Sequence, residues 1–348
     1  MTTLRERWSR LVVSLRRLRE PPNVVAFAVF VAILVSGIAV RLHYSAFLDP
    51  FEDGYQHWWI SANLVATGEY WDRHSMMTQG NWLPLYHFFG AGVLGVAGIH
   101  NIAALKLTNI VLSTLTAILV FFVLRRHGLL LALAGTAFFS FNFIDVVVSG
   151  WSTAESLLLF LVVLGYGSLF HLRLSRNRHL AIAAAALALA VATRYEAWLV
   201  ALLLVLFSFV RKGTEPSRAQ VLYVLLPSFL FMAGYFLYAL QWGFLPAIVV
   251  RQTSTDILFQ VSVGTQRDSI EILSAWWTGY FSFFPVVLVL GTAYLAVKIR
   301  SEFGPWIVFG LWAFVVAYAL LRFGNPSYRY VMLSVPFLSI GGASAGRF

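Results

Sequence analysis

The sequence predicts an all-α, polytopic helical membrane protein with about ten transmembrane helices, and three observations carry that prediction. Of 348 residues, 59% are hydrophobic and only 11% are charged, a balance that no soluble core could bury. The apolar residues gather in runs close to the roughly 20 that one bilayer crossing needs. The basic residues cluster at alternate ends of those runs, as the positive-inside rule demands.

The runs are Val24 to Val40, Ala104 to Leu124, Leu129 to Val148, Ser156 to Leu172, a split run from Leu180 to Val210, Ala219 to Leu240, Tyr280 to Val297, Pro305 to Leu321 and Tyr330 to Ala345. Counting the split run as two gives ten. With the N-terminus inside, 17 of the 25 basic residues fall on the cytoplasmic side. Arg41, Arg73, Lys106, Arg194, Arg251, Arg267, Arg322 and Arg329 are left for the outer side. The net charge of +10 then reflects topology and attraction to anionic headgroups, not a nucleic-acid partner.

The Arg-rich residues 1–23 read as a basic cytoplasmic segment ahead of a retained anchor, since Val24 to Val40 shows no small-residue cleavage pattern. Absence of cysteine removes disulfides, thiolate metal sites and a cysteine nucleophile. With no repeat of fixed period and no low-complexity linker, residues 1–348 read as one membrane-embedded domain. The chain stops just after the tenth run, and no soluble catalytic module is expected.

Basic residues at both ends of the split run, Arg178 and Arg211, send it out and back, with Thr193-Arg194-Tyr195-Glu196 at its turn. Each arm holds about 14 residues, roughly 21 Å at 1.5 Å per residue, short of a hydrocarbon core of about 30 Å. Charges at that depth belong in a protein-lined cavity. Arg194 and Glu196 are therefore expected either to line an outward-opening pocket or to tie the two short helices together.

Two outer segments are long. The first, 43–101, carries Asp49, Glu52 and Asp53, five of the eight histidines and a belt of tryptophans suited to helices in the headgroup plane. Within it, Pro84 to Gly98 is too short to span and reads as a dipping helix. The second, 242–277, carries Arg251, Asp256, Arg267, Asp268 and Glu271 with Gly264, a composition suited to a loop that folds over a substrate.

Four motifs along these outer positions resemble one family. Asp49-Pro50-Phe51-Glu52-Asp53-Gly54-Tyr55, then Asn63-Leu64, Gly68-Glu69-Tyr70 and Trp82-Leu83-Pro84-Leu85-Tyr86, resemble the first outer loop of the GT-C superfamily of integral-membrane glycosyltransferases. Ser149 to Glu155 resembles that family's second acidic motif, Ala192 to Glu196 its short-helix turn, and Tyr328-Arg329-Tyr330 with Pro336-Phe337 its Arg-Tyr element. The first two motifs are similar to the oligosaccharyltransferase catalytic subunit, the last two to protein O-mannosyltransferases and lipid A aminoarabinose transferases. Thr153 stands where an oligosaccharyltransferase carries a further carboxylate, so peptide N-glycosylation is not expected.

The resemblance implies transfer of one sugar, with inversion, from a polyprenyl-phosphate donor to a glycan, lipid or protein hydroxyl at the outer face of the cell membrane. Asp53 is the implied base for the acceptor hydroxyl, with Glu52 as the alternative. Like-charge repulsion from Asp49 and Glu52 is expected to strengthen the base. A cation must hold the lipid phosphate that leaves. Arg329 with Tyr330 has the motif support, and Arg322, Arg251, Arg267 and Arg194 are alternatives. Tyr55, Glu155 and Glu196 complete the expected substrate-binding set. No cofactor is required by the motifs. A divalent Mg or Mn ion is the alternative to an arginine, with Asp53, His57, His74 and Glu155 as its candidate ligands, although the histidines show no i, i+4 metal spacing. Two rival readings share the topology, a lipid-linked-sugar flippase and a non-catalytic membrane subunit.

Overall fold

The computed structural model describes residues 23–49, 52–70, 82–171, 176–211, 216–241, 285–320 and 332–345. The expected second outer loop 242–277, with Arg251 and Arg267, lies outside these residues, as do His74, Arg322, Arg329, Tyr330 and almost all of the basic segment 1–23.

Among the described residues the chain forms thirteen α-helices and no strand. They are α1 (Asn23–Ser45), α2 (Glu52–Thr67), α3 (Leu85–Ala97), α4 (Ile102–Arg125), α5 (Leu129–Ser140), α6 (Phe143–Ser149), α7 (Glu155–Phe170), α8 (Arg176–Thr193), α9 (Glu196–Val210), α10 (Arg218–Gln241), α11 (Pro285–Lys298), α12 (Gly304–Leu320) and α13 (Ser334–Ala345). Every apolar run of the sequence is represented by helix, because a backbone in lipid must satisfy its own hydrogen bonds. Three helices, Val24–Ser45, Ile102–Arg125 and Arg218–Tyr238, are long and apolar enough for a full crossing, and α5 with α6 makes a fourth if the bent pair counts as one span. The other apolar helices are shorter, so the structure supports an integral membrane protein of several apolar helices without fixing ten crossings.

The run Leu129 to Val148 is not one straight helix. It bends by 56° between α5 and α6, where Asn142 caps the new helix by accepting from Ile144 N at 3.1 Å and Asp145 N at 3.4 Å. An N-cap asparagine satisfies amide groups that no preceding turn can reach.

At the centre, α7 is buried on nearly all sides, as befits a helix that is apolar all round. It packs between α4 and α8. Lipid supplies no hydrophobic drive between helices, so close approach rests on small residues. A Cβ on Gly165 of α7 would come within 2.8 Å of Leu187 Cγ on α8, and α8 itself offers buried Ala183, Ala186 and Ala190. The same device joins α11 to α13, where a Cβ on Gly291 would lie 2.8 Å from the Leu338 carbonyl.

The split run forms α8 and α9 as expected, with 18 and 15 residues joined through Arg194 and Tyr195. The segment 43–101 includes the helical hairpin α2–α3, and α3 is the short helix expected over Pro84 to Gly98. One end of the bundle thus gathers the end of α1, the α2–α3 hairpin, the starts of α4, α7 and α9, and the ends of α6, α8 and α10. Arg125, Arg126, Arg211 and Arg218 mark the other end. A single cysteine introduced at Glu69 in this cysteine-free chain is expected to react with an impermeant reagent from outside intact cells, and one at Arg126 or Lys298 only after permeabilisation. Labelling of all three from one side would overturn this sorting.

Candidate active site

The segment 43–101 is anchored by a buried acid. Asp49 is only 6% exposed. Its Oδ1 lies 2.7 Å from Lys106 Nζ, and its Oδ2 accepts from the Ser152 amide at 3.1 Å and hydroxyl at 2.8 Å. Lys106 directs its remaining donors to the Ser45 and Phe47 carbonyls at 3.3 and 2.9 Å. Ser152 lies within 2.9 Å of the Gly54 carbonyl. A side chain on Gly54 would drive its Cβ into the Asp49 carboxylate, so glycine lets the first turn of α2 close onto this knot. Asp49 is therefore an ion-paired anchor whose charge Lys106 offsets, and not the bare like-charge neighbour of Asp53 that the sequence suggested.

Asp53 sits on that first turn, partly buried, one helical turn before His57 and so on the same face. Glu52 opens α2; its side chain is outside the described set. Tyr55 is 39% exposed and stands away from the knot.

His57 belongs to a buried array of rings. Its Nδ1 lies 2.8 Å from His87 Nε2, and His87 Nδ1 lies 3.2 Å from the Tyr70 hydroxyl, which donates to the Trp82 carbonyl at 3.3 Å. The Trp82 ring covers His57 with centroids 4.5 Å apart. Burial, with His57 beside it, holds the His87 pKa well below the ordinary 6.5. Burial also raises the Tyr70 phenol, so it remains a donor. Linkage gives the sign: the unfolded chain takes up a proton near pH 6.5 that folded His87 refuses, so this contribution is complete above 6.5 and falls as pH drops below it. The thermal midpoint in detergent is expected to fall between about pH 7.5 and 5.5, and His87→Gln is expected to flatten that fall. An unchanged slope in the variant would remove His87 as its source.

The Trp82-Leu83-Pro84-Leu85-Tyr86 element ties this hairpin to the bundle. Tyr86 is buried, and Asn109 Nδ2 lies 3.1 Å from its hydroxyl while reaching the Trp151 and Thr153 carbonyls at 2.7 and 2.8 Å. One amide from the wall of α4 thus fixes the Pro-Leu-Tyr element and the second acidic motif together. Tyr86 also feels the charges of Glu155 and Asp49.

The third motif meets the second. Arg194 Nη1 lies 2.7 Å from Glu155 Oε1, and its Nη2 lies 2.7 Å from Glu196 Oε1, with Nε 3.1 Å from both Glu196 oxygens. Glu155 and Glu196 stand in the first turns of α7 and α9, where the helix dipole favours acids. Tyr195 hydrogen-bonds Tyr235 of α10, and Tyr235 and Tyr238 lie within electrostatic reach of Tyr70. Three of the four motifs, distant in sequence, therefore converge at one end of the bundle. The fourth, around Arg329, lies outside the described residues. Asp53, His57 and Glu155 are not assembled as a metal set: among the described residues no three His, Asp or Glu side chains stand together as metal ligands, and Glu155 is ion-paired with Arg194.

No family description and no characterised protein matches the chain by sequence. Solved structures do match by shape. ArnT from Cupriavidus metallidurans, solved with undecaprenyl phosphate bound, superposes with a TM-score of 0.59 at 15% identity, over 93% of this chain and 60% of its own. The oligosaccharyltransferase AglB from Archaeoglobus fulgidus, solved with an inhibitory peptide and a dolichol-phosphate, gives 0.52 at 14% identity over 90% of this chain and 50% of its own. An Archaeoglobus fulgidus oligosaccharyltransferase tethered to an acceptor peptide gives 0.51 at 13% identity, over 90% of this chain and 49% of its own. The chain spans half to three-fifths of the length of these proteins. At these identities the likeness is one of fold, and the fold is the GT-C fold of integral-membrane glycosyltransferases.

Proposed function

We propose that this protein is a membrane glycosyltransferase that moves one sugar from a polyprenyl-phosphate carrier to an acceptor hydroxyl at the outer face of the membrane. The observation that supports it is the convergence of Asp53, the Pro-Leu-Tyr element, Glu155 and the Arg194–Glu196 turn at one end of a GT-C fold. Undecaprenyl phosphate in ArnT and dolichol-phosphate in AglB support the donor class.

In this reading Asp53 takes the proton of the acceptor hydroxyl as its oxygen attacks the anomeric carbon. The bond to the lipid phosphate breaks on the opposite face, with inversion, and the phosphate leaves as an anion. The cation that holds that anion is not Arg194. Its charge is met by two carboxylates, leaving the triad with net charge −1, which favours a structural role in fixing the turn. The role falls to Arg329, with Arg322, Arg251 and Arg267 as alternatives. Arg329→Ala is expected to weaken donor binding by about 1.5 to 3 kcal/mol, the range for a hydrogen bond to a charged group, and Arg329→Lys by less, since lysine keeps the charge and loses the fork. Calorimetric titration in detergent with a polyprenyl-phosphate sugar checks this, and equal affinities in all three proteins would exclude Arg329.

The direct test is incubation of purified protein with labelled polyprenyl-phosphate sugars. Label leaving the lipid identifies a transferase. Label moving between leaflets of a vesicle while still lipid-linked identifies a flippase, and neither result identifies a non-catalytic subunit.

A further inference from the structure

The end of the bundle opposite the acidic cluster holds a cleft of its own. Its volume is about 120 Å³, and it lies where α7 and α9 end and α10 begins, between Phe170, Phe207, Ser208, Arg211, Pro216 and Arg218. The Arg211 guanidinium carbon stands 5.7 Å from the ring centroids of both Phe170 and Phe207. That side chain makes no ion pair or hydrogen bond among the described residues. Arg218 reaches across from α10. Its Nε donates to the Ser208 carbonyl at 3.2 Å and its Nη2 to the Phe209 carbonyl at 3.4 Å, with the guanidinium 5.2 Å from the Phe209 ring. Arg126 adds a third cation, donating to the Phe170 carbonyl at 3.3 Å. Among the described residues, the acid near this end, Glu302, accepts from Tyr294 at 3.4 Å and pairs with none of these arginines.

We propose that this cleft binds the phosphodiester headgroup of an anionic phospholipid from the leaflet opposite the acidic cluster. The proposal is independent of the transfer reaction. An arginine stacked on aromatic faces keeps its N–H donors in the guanidinium plane, available to two oxygens of one phosphate. Arg218, pinned by two carbonyls, offers its remaining donors nearby. Depth selects a lipid over a soluble anion. Helices α7 and α9 have 16 and 15 residues, roughly 24 and 22 Å long, against a hydrocarbon core of about 30 Å. With Arg211 and Arg218 set at the basic interface, the cleft falls at the headgroup layer of that leaflet, and the acidic cluster stops short of the other. Basic pockets between membrane helices at that depth are the known chemistry of anionic headgroup binding. An ordinary interfacial anchor would instead extend freely into solvent, whereas Arg211 is half-buried behind two rings.

The test is native mass spectrometry of the purified protein exchanged into mixed micelles of phosphatidylglycerol and phosphatidylcholine. Wild type is expected to retain phosphatidylglycerol in preference to phosphatidylcholine. Arg211→Gln and Arg218→Gln are each expected to lower that preference by about tenfold, as loss of one charge-assisted pair would. Arg211→Lys should give an intermediate loss, and Arg125→Gln, an exposed charge at the same end outside the cleft, should change nothing. Equal loss in Arg125→Gln would show general charge attraction and overturn the site. Displacement of the lipid by millimolar inorganic phosphate would assign the cleft to a soluble anion and overturn the lipid. Absence of preference in wild type, which needs no variant to fold, would overturn the proposal outright.

Discussion

Asp53→Asn is expected to lower sugar transfer by about a hundredfold or more, because a positioned base contributes about that much, while donor affinity and the thermal midpoint stay near wild type. The substitution is nearly isosteric: it keeps the size of the side chain and removes its negative charge and its capacity to take a proton. The adjacent anchor makes the experiment clean. Asp49, Lys106 and Ser152 hold the start of α2 through contacts of 2.7 to 3.1 Å, so the change at Asp53 leaves the turn supported. Asp49→Asn serves as the contrast. It removes the partner of buried Lys106, and its loss of activity should come with a lower thermal midpoint. Full turnover in Asp53→Asn would remove Asp53 as the base and move that role to Glu52.

Much of this fold was legible in the sequence, for reasons that follow from the solvent. Lipid forces each apolar run into helix, and the two short arms around Arg194 could be read from length and flanking charge alone. The Arg194–Glu196 pair was legible because two residues of separation across a turn leave few alternatives. Contacts between distant elements were not. That Glu155 would meet Arg194, or Asp49 reach Lys106 and Ser152, depends on how α4, α6 and α8 pack, which no local pattern states. The histidine pair was hidden for the same reason. His57 and His87 carry no metal spacing, and only the α2–α3 hairpin brings their rings within 2.8 Å. Asn109 within an apolar run was a signal, since an amide there needs partners. It proved to be the group that joins two motifs.

Arg41 gives the second large effect. Left by the sequence for the outer side with no partner named, it is 2% exposed and ion-paired with Asp145, which is fully buried. Ser113 bridges the pair, accepting from Arg41 Nε at 3.1 Å and donating to Asp145 Oδ2 at 2.7 Å. Arg41 Nη1 reaches the Gly37 and Ser140 carbonyls at 2.9 and 2.8 Å. Ser140 closes α5 just before the 56° bend, so one side chain satisfies a carbonyl exposed by the break and the acid in the first turn of α6. An apolar run carrying Asn142 and Asp145 was itself the hint that something charged must meet it. Removing one partner strands a buried charge, and Asp145→Ala or Arg41→Met is expected to cost about 3 to 5 kcal/mol. Replacing both, as Arg41→Met with Asp145→Leu, should cost clearly less than the sum of the two, because no charge is then stranded, though the Ser140 carbonyl still loses its donor. Thermal unfolding in detergent reads all three. The loss should also reach activity, since α6 leads directly into Ser152 and Glu155, and a bend free to straighten would shift both. Single losses below about 1 kcal/mol that simply add would instead show a surface-like pair, leaving the bend to Asn142 alone.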